Sequence, residues 1–266
     1  MKFQGILSPD GALPPAAENA RECFRDLNLD QVWEAVAARR PDYDLSPFFD
    51  AFPLSLDAVL WRQEIFRDLE DSGASQALRD FSKRMRVARE RLQFAGKSGY
   101  PLERHRWFLG GAEAYVAAVK DLCTGLDGTI QRSHGLGAFA EWLKAYAASD
   151  AFVRLEGDTV RVASGLAALD YAIFIKGDRV TVGVSQGEPD LAAKVEETFA
   201  RFRRGPAEEY LVKFNDFPGM NPIEAQVLER VARVHPEPFK ALERHCAGHA
   251  GFVDDVLCVF EHELQF

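Results

Sequence analysis

Cysteines are scarce in this sequence, and no two of them are close together. Cys23, Cys123, Cys246 and Cys258 are spread over the 266 residues without a CxxC pair. A disulfide framework and a zinc site built on paired cysteines are therefore not expected. Reduced thiols are the prediction.

Long hydrophobic runs are also missing. No window reaches the roughly 18 unbroken apolar residues of a membrane helix, and residues 1–20 hold no apolar segment of the signal-peptide kind. These two absences predict a cytoplasmic protein without a membrane partner.

The chain has no excess of basic residues. Its formal net charge is −9 at pH 7 and its pI is near 5.3. Binding of phosphates shows first as basic surface, so an acidic chain does not coat nucleic acid by bulk electrostatics. A local basic patch stays compatible with this composition.

Motifs of catalysis and internal repeats are absent as well. The sequence has no GxxxxGK[ST] phosphate-binding loop and no serine, cysteine or histidine in a recognisable nucleophile setting. No unit of 20 to 50 residues recurs, which excludes solenoids and propellers. We expect this chain to have no active site of its own.

The chain does contain one stretch with the composition of β-strands, residues 170–214. Residues 171–175 and 180–184 are β-branched and aromatic runs around Gly177, whose freedom to take a positive φ suits a tight hairpin turn. Residues 210–214 alternate as a third strand, and Pro189 begins a predicted helix that Gly205 ends. With seven basic and eight acidic residues, this stretch is near neutral.

A segment of roughly 45 residues is too small to hold a core alone, so other elements must carry it. Apolar residues recur at alternating spacings of four and three on both sides of it, which is typical of a long helix packed along another helix. We therefore predict an outgoing and a returning lever helix, packed antiparallel. The two stripes are Leu155, Thr159, Val162, Leu166 and Leu169 before the segment, and Phe239, Leu242, Cys246, His249, Val253, Val256 and Phe260 after it.

Glycines and prolines refine this prediction. Gly157 and Gly165 each weaken a helix interior by about 1 kcal/mol relative to alanine, so a kink or break in the outgoing lever is expected. The last helix is predicted to continue through the apolar register to Phe266, which indicates a chain truncated before a further domain. Capping residues predict helix starts at Asn28, Ser55, Ser149 or Asp150, and Asn221.

The predicted fold is mainly α, a helical core with long lever helices and a small antiparallel β-containing insertion. The prediction divides the chain into four segments. They are a flexible N-terminal arm rich in Pro, Gly and Ala (1–23), a helical core with the outgoing lever (24–169), a clamp-like α/β subdomain (170–214) and the returning lever helices (215–266).

Two clusters have the residue types of a ligand site. His245 and His249 are four apart, the spacing that lets two imidazoles share a metal, but they lack the carboxylate of a zinc-protease motif. Structural or surface histidines are the alternative. Residues 103–107 (ERHRW) combine an acid, two guanidiniums, an imidazole and an aromatic ring, which suits either a bound anion or an intramolecular pairing network.

Two basic runs are candidates for phosphate contacts. One is residues 83–91, with five basic residues against Glu90, and the other comprises Arg201, Arg203 and Arg204. A solvated helix face explains each run equally well. The adjacent acidic pairs at 196–197 and 254–255 point to different faces of a helix and form no carboxylate dyad.

Five stretches taken in order carry a resemblance to a known family. The chain resembles the helical core, lever and clamp region of MutS-type DNA mismatch repair ATPases, in the branch without an N-terminal mismatch-reading module. The stretches are 24–36 (FRDLNLDQVWEAV), 56–71 (LDAVLWRQEIFRDLED), 97–109 (KSGYPLERHRWFL), 175–190 (IKGDRVTVGVSQGEPD) and 212–231 (VKFNDFPGMNPIEAQVLERV).

The resemblance implies a non-catalytic region whose levers carry a clamp onto duplex or branched DNA. It also implies an ATPase domain after Phe266 that uses ATP and magnesium and forms a homodimer; this chain itself would hold no cofactor and no metal. The expected nucleic-acid contacts are Lys176, Arg179 and Lys213, followed by Arg201, Arg203 and Arg204.

Two other functions are weighed against a DNA clamp. The acidity of the chain and the near-neutral charge of residues 170–214 favour a protein-interaction scaffold that positions a MutS-like ATPase without mismatch recognition. A stand-alone enzyme would need a catalytic constellation that the sequence does not contain.

Overall fold

The computed structural model describes residues 5–9, 24–39, 41, 43–50, 55–70, 72–127, 133–177, 179–185, 187 and 219–266. Over these residues the protein is mainly helical with one two-stranded antiparallel sheet, which confirms the predicted fold class. The helices are α1 (Leu29–Ala38), α2 (Ser46–Asp50), α3 (Leu56–Leu69), α4 (Ser72–Lys97), α5 (Pro101–Asp127), α6 (His134–Ala147), α7 (Asp150–Ala167), α8 (Pro222–Val234), α9 (Pro236–Gly248) and α10 (Asp255–Gln265), and the strands are β1 (Tyr171–Lys176) and β2 (Arg179–Val184).

The main core lies where α4, α5, α6 and α10 meet. The rings of Phe139 on α6 and Phe260 on α10 stack with centroids 3.5 Å apart, and both side chains are fully buried. Burial of one such side chain stabilises the fold by roughly 1.5–3 kcal/mol. Helices α4 and α5 approach closely at Gly125, where an added Cβ would lie 2.5 Å from the Cβ of Ala77.

Residues 5–9 are docked on the helical body. The side chains of Ile6 and Leu7 are buried in the main core, and the Ile6 N–H donates to Glu263 Oε2 at 2.7 Å. Trp61 Nε1 donates to the Ile6 carbonyl at 2.7 Å, and Arg62 Nε donates to the Leu7 carbonyl at 3.0 Å. The backbone groups of Ile6 and Leu7 therefore have partners on α3 and α10.

Helix α1 begins where the sequence predicted, but without the expected cap. Asn28 is left-handed (φ 54°), and its side chain makes no capping hydrogen bond. The helix also buries none of its residues, and Val32 is 54% exposed. At α3, α7 and α8 the predicted caps are confirmed, since the side chains of Ser55, Ser149 and Asn221 accept from the first turn.

Helix α7 runs through both of its glycines, so the predicted break does not occur. Its buried side is the predicted stripe, with Phe152, Leu155, Thr159 and Val162 buried. An added Cβ at Gly157 would meet nothing within 4 Å. The packing of this stripe offsets the weak helix propensity of glycine.

The returning lever is not one helix to the end of the chain, as the apolar register predicted. Helix α9 ends at Gly248, and α10 begins after Asp254, whose side chain accepts from the Val256 N–H at 2.8 Å. Gly251 lies in the turn between them. The turn sends α10 into the main core, where Phe260 is buried, and α9 is the returning helix that packs against α7.

The predicted antiparallel packing of the levers is confirmed for α7 and α9. The two helices run in opposite directions, because Asp158 contacts His249 and the next residue of α7, Thr159, contacts the earlier residue His245 of α9. Helix α5 packs against both of them. Leu109, Val162 and Leu242 form a second buried cluster at this three-helix junction.

The chain leaves α7 and enters the predicted hairpin almost at once. Strands β1 and β2 pair antiparallel from Tyr171 opposite Val184 to Lys176 opposite Arg179, and Gly177 takes φ +63° in the turn. Strand β2 packs against α8. The predicted helix and third strand at 189–204 and 210–214 lie outside the described residues, and the division of the chain into four segments stays a prediction.

Candidate nucleic-acid interface

The hairpin lies at the end of the lever pair. Asp170 lies directly before β1, and its carbonyl oxygen lies 3.1 Å from Nε2 of His235, the residue between α8 and α9. The contact joins the outgoing and returning chains at the base of the hairpin. None of the buried residues of the two hydrophobic clusters comes from the hairpin.

Lys176 and Arg179 form the last pair of the hairpin, directly opposite each other across the turn. Both are exposed, and neither side chain makes a hydrogen bond or an ion pair with a described residue. Because side chains directly opposite in an antiparallel pair lie about 5 Å apart, like charges at these positions destabilise the hairpin. The turn thus brings two basic side chains to one point of the surface, and Asp178 stands between them in the sequence.

The hairpin has two chemically different faces, because successive side chains alternate across a strand. Lys176 and Arg179 share a face with Phe174, which is 45% exposed. The Phe174 ring covers Gly183 of the neighbouring strand, since its Cε2 would lie 3.6 Å from a Cβ added there. The opposite face contains only Tyr171, Ile173, Ile175, Val180, Val182 and Val184. The ammonium group of Lys176 and the guanidinium group of Arg179 beside an exposed aromatic ring suit contact with the phosphates and bases of a nucleic acid.

The structure thus brings two of the six predicted nucleic-acid contacts together. The other four, Lys213, Arg201, Arg203 and Arg204, lie outside the described residues.

Four of the five basic residues in the run of α4 make contacts within the chain. Arg89 pairs with the buried carboxylate of Glu261, and Arg91 Nη1 donates to the Gly110 carbonyl at 2.8 Å. Lys83 and Arg84 form exposed pairs with acidic neighbours on α4 and α5. The run therefore reads as helix-packing residues with a solvated face rather than as a phosphate site.

Glu103 confirms the interpretation of residues 103–107 as an intramolecular pairing network. Its side chain is buried and accepts from Ser98 Oγ at 2.5 Å and from the Met220 N–H at 2.6 Å. The second bond fastens the chain just before α8 to the start of α5. Arg106 pairs with Glu113 along the same helix.

His245 and His249 lie close together but contact α7 separately. Their ring centroids are 4.9 Å apart; Nε2 of His245 is 3.0 Å from Thr159 Oγ1, and Nε2 of His249 is 2.9 Å from Asp158 Oδ2. Within the described ranges no three His, Cys, Asp or Glu residues are placed to hold a metal. Burial lowers the pKa of His245, and the hydrogen bond from His249 lowers the pKa of Asp158.

Sequence reasoning missed the arginines around these histidines. Arg154 and Arg161 lie on the same side of α7 as Asp158, at helical spacings of four and three, and Arg244 lies next to His245 on α9. The spacing on α7 was visible in the sequence as a second stripe beside the apolar one. Its convergence with Arg244 depends on how the two helices pack.

No family model, curated protein or solved structure matches the chain. Among the described helices, none has both the length and the apolar character that crossing a bilayer requires.

Proposed function

We propose that this chain is the non-catalytic lever and clamp region of a MutS-like DNA repair ATPase, and that it engages duplex or branched DNA through the tip of the β1–β2 hairpin. The five sequence stretches named above support the family. The hairpin at the end of α7 supports the clamp.

The pairing of Lys176 with Arg179 is the observation that carries the proposal. Two like charges directly opposite each other are unfavourable in the free hairpin, and a phosphate between them would turn repulsion into two charge-assisted hydrogen bonds. Such contacts position a protein on nucleic acid without reading its sequence. Phosphate contacts confined to the hairpin tip are compatible with an acidic chain, because only the surface that touches the DNA has to be positively charged.

The connection between the helices and the hairpin supports a mechanical role. Helix α7 leads into β1 within four residues, and His235 at the start of α9 contacts Asp170 at the base of the hairpin. A shift of α7 against α9 would therefore move the hairpin tip. In the proposed whole protein, ATP and magnesium bind to a following domain that forms a homodimer in the cytoplasm, and its motion reaches the clamp through these helices.

DNA binding by the 266-residue chain tests the proposal. Fluorescence anisotropy with a labelled duplex and a labelled four-way junction, each at low and moderate salt, would be compared for the wild type and the double variant Lys176→Glu, Arg179→Glu. We expect affinity to fall about tenfold or more and the salt slope to decrease by about two, one for each lost phosphate contact.

The matched control carries the same charge change on α4, as Lys83→Glu with Arg86→Glu. It should leave the affinity close to that of the wild type apart from a small general electrostatic loss. Loss of binding in the α4 variant with retention in the tip variant would contradict the proposed interface. A lack of salt-sensitive binding to either DNA in all forms would contradict DNA engagement altogether.

The apolar face of the same hairpin favours a second candidate, a protein-interaction scaffold of a MutS-like ATPase. Ile175 is 73% exposed and Ile173 is 46% exposed. A scaffold predicts that Ile175→Asp abolishes capture of a protein partner while the tip double variant captures it normally. A clamp on DNA predicts that the tip double variant loses DNA affinity while Ile175→Asp retains it.

A further inference from the structure

A groove with a volume of about 410 Å³ lies between α7 and α9, away from the hairpin tip. This volume is within the range of small-molecule sites in proteins. Val162, Gly165 and Ala241 contribute to its lining. Its charged rim combines Arg154 and Arg161 of α7 with Arg244 of α9.

The three arginines have donors to spare. The Arg154 side chain makes no hydrogen bond or ion pair with the residues that the structure describes. Arg244 uses Nε on the Lys240 carbonyl at 3.2 Å, which leaves its two terminal nitrogens, and Arg161 uses Nη2 on Asp158 Oδ1 at 2.6 Å. A guanidinium has five N–H donors in a planar fork that fits the oxygens of a phosphate or carboxylate.

Asp158 is the acidic residue in the lining of this groove, and its carboxylate already has two partners on the protein. Oδ1 accepts from Arg161 and Oδ2 lies 2.9 Å from His249 Nε2, so both carboxylate oxygens face partners on the protein. Three arginines against one carboxylate leave a formal excess of two positive charges on the rim. A phosphoryl group carries about −1.5 to −2 at pH 7 and would balance this excess.

His245 adds a buried polar atom without a hydrogen-bond partner to the residues around the groove. Its side chain lines the groove, is 4% exposed, and has a buried Nδ1 without a hydrogen-bond partner. Burial lowers the pKa of this imidazole and so favours its neutral form. When the Thr159 hydroxyl donates to Nε2, Nδ1 carries the hydrogen and is a donor in need of an acceptor.

We propose that the groove between α7 and α9 binds a small phosphorylated molecule, whose phosphoryl oxygens accept from Arg154, Arg161 and Arg244. Its ligand would join the two helices through arginines on each side, and so would restrain the sliding of α7 against α9. The site is independent of the hairpin tip and would be occupied whether or not the tip binds DNA.

Isothermal titration calorimetry of the 266-residue chain with inorganic phosphate and with pyrophosphate tests this proposal. We expect saturable binding at one site for the wild type. Arg154→Gln and Arg244→Gln should each weaken it about tenfold, since each removes a charge-assisted hydrogen bond. Arg230→Gln on α8 removes the same charge from an exposed position outside the groove and should leave the affinity within about twofold.

Far-ultraviolet circular dichroism and thermal melts show whether each variant is folded, and a loss of binding counts only in a folded variant. If all single variants proved unfolded, protection of the groove amides on addition of pyrophosphate to the wild type would decide instead. Absence of saturable binding, an equal loss in Arg230→Gln, or equal binding of malonate would overturn the phosphoryl site. The tip variant Lys176→Glu, Arg179→Glu should bind phosphate normally, so failure of this site and failure of DNA binding are separate results.

Discussion

The Arg89 guanidinium on α4 donates to the carboxylate of Glu261 on α10, a residue 172 positions further along the chain and 1% exposed. The Tyr43 hydroxyl completes this contact, since it donates to Glu261 Oε1 at 2.6 Å and accepts from Arg89 Nη2 at 2.5 Å. The last helix is therefore held to the body by a buried carboxylate with two partners. Burial is the largest of the effects that raise the pKa of Tyr43, and the raised pKa keeps its hydroxyl protonated and able to donate.

Removal of Arg89 should destabilise the protein strongly. Arg89→Met leaves Glu261 buried with its charge uncompensated, and loss of one partner of a buried pair costs roughly 3–5 kcal/mol. Urea unfolding followed by circular dichroism measures the change. Arg84→Met is the matched control, because the Arg84–Asp121 pair is exposed on both sides and should cost less than about 1 kcal/mol. Similar losses in the two variants would show that the buried pair has no special role.

Glu263 should make stability depend on pH in the acidic to neutral range. Burial raises its pKa to about 7, while its unfolded value is about 4.5. The folded protein therefore binds the proton more tightly than the unfolded chain, so this contribution is fully present below pH 4.5 and is lost as the pH rises through 7. Glu263→Gln should flatten the wild-type decrease in unfolding free energy between pH 5 and 7.5. An unchanged slope in the variant would contradict the raised pKa.

The close approach of α4 and α5 makes Gly125 intolerant of a methyl group. Gly125→Ala would bring its Cβ to 2.5 Å from that of Ala77, and overpacking of this kind costs typically 1–3 kcal/mol. Addition of Ala77→Gly should restore part of the loss in chemical denaturation. Gly157→Ala is the control, since that position on α7 is open and alanine there should stabilise by roughly 0.5–1 kcal/mol. A destabilised Gly157→Ala would indicate a feature of α7 beyond helix propensity.

The turn of the hairpin depends on Gly177. Its φ of +63° costs an L-residue roughly 1–2 kcal/mol, so Gly177→Ala should raise amide hydrogen exchange in β1 and β2 by about tenfold. Exchange in α4 and α5 should not change, because the hairpin adds nothing to the buried clusters. Gly183→Ala is the comparison variant, since its new Cβ would only touch the Phe174 ring at 3.6 Å. Equal exchange in both variants would contradict a turn that requires glycine.

Local signals in the sequence predicted much of the fold. The stripe through Leu155, Thr159 and Val162 marked the buried side of α7, and Gly177 between two β-branched runs marked the hairpin. The capping box of Asn221 and Glu224 marked the start of α8. These signals work because helix and strand periodicity, turn conformation and capping involve residues only a few positions apart.

One error came from continuing a pattern past its end. The apolar register of α9 continues through His249 and Val253. The helix nevertheless ends at Gly248, and Asp254 caps the next helix. Register alone records which side of a helix is apolar, and it contains no information on where the helix stops.

The sequence by itself determined the helical class, the hairpin and the charged pair at its tip, because each depends on neighbours along the chain. Only the tertiary structure decided that Arg89 meets Glu261, that Glu263 holds Ile6, and that Arg154 and Arg244 share one groove. These partners are 90 to 257 positions apart, so their contacts exist only after whole helices have packed and buried their apolar sides.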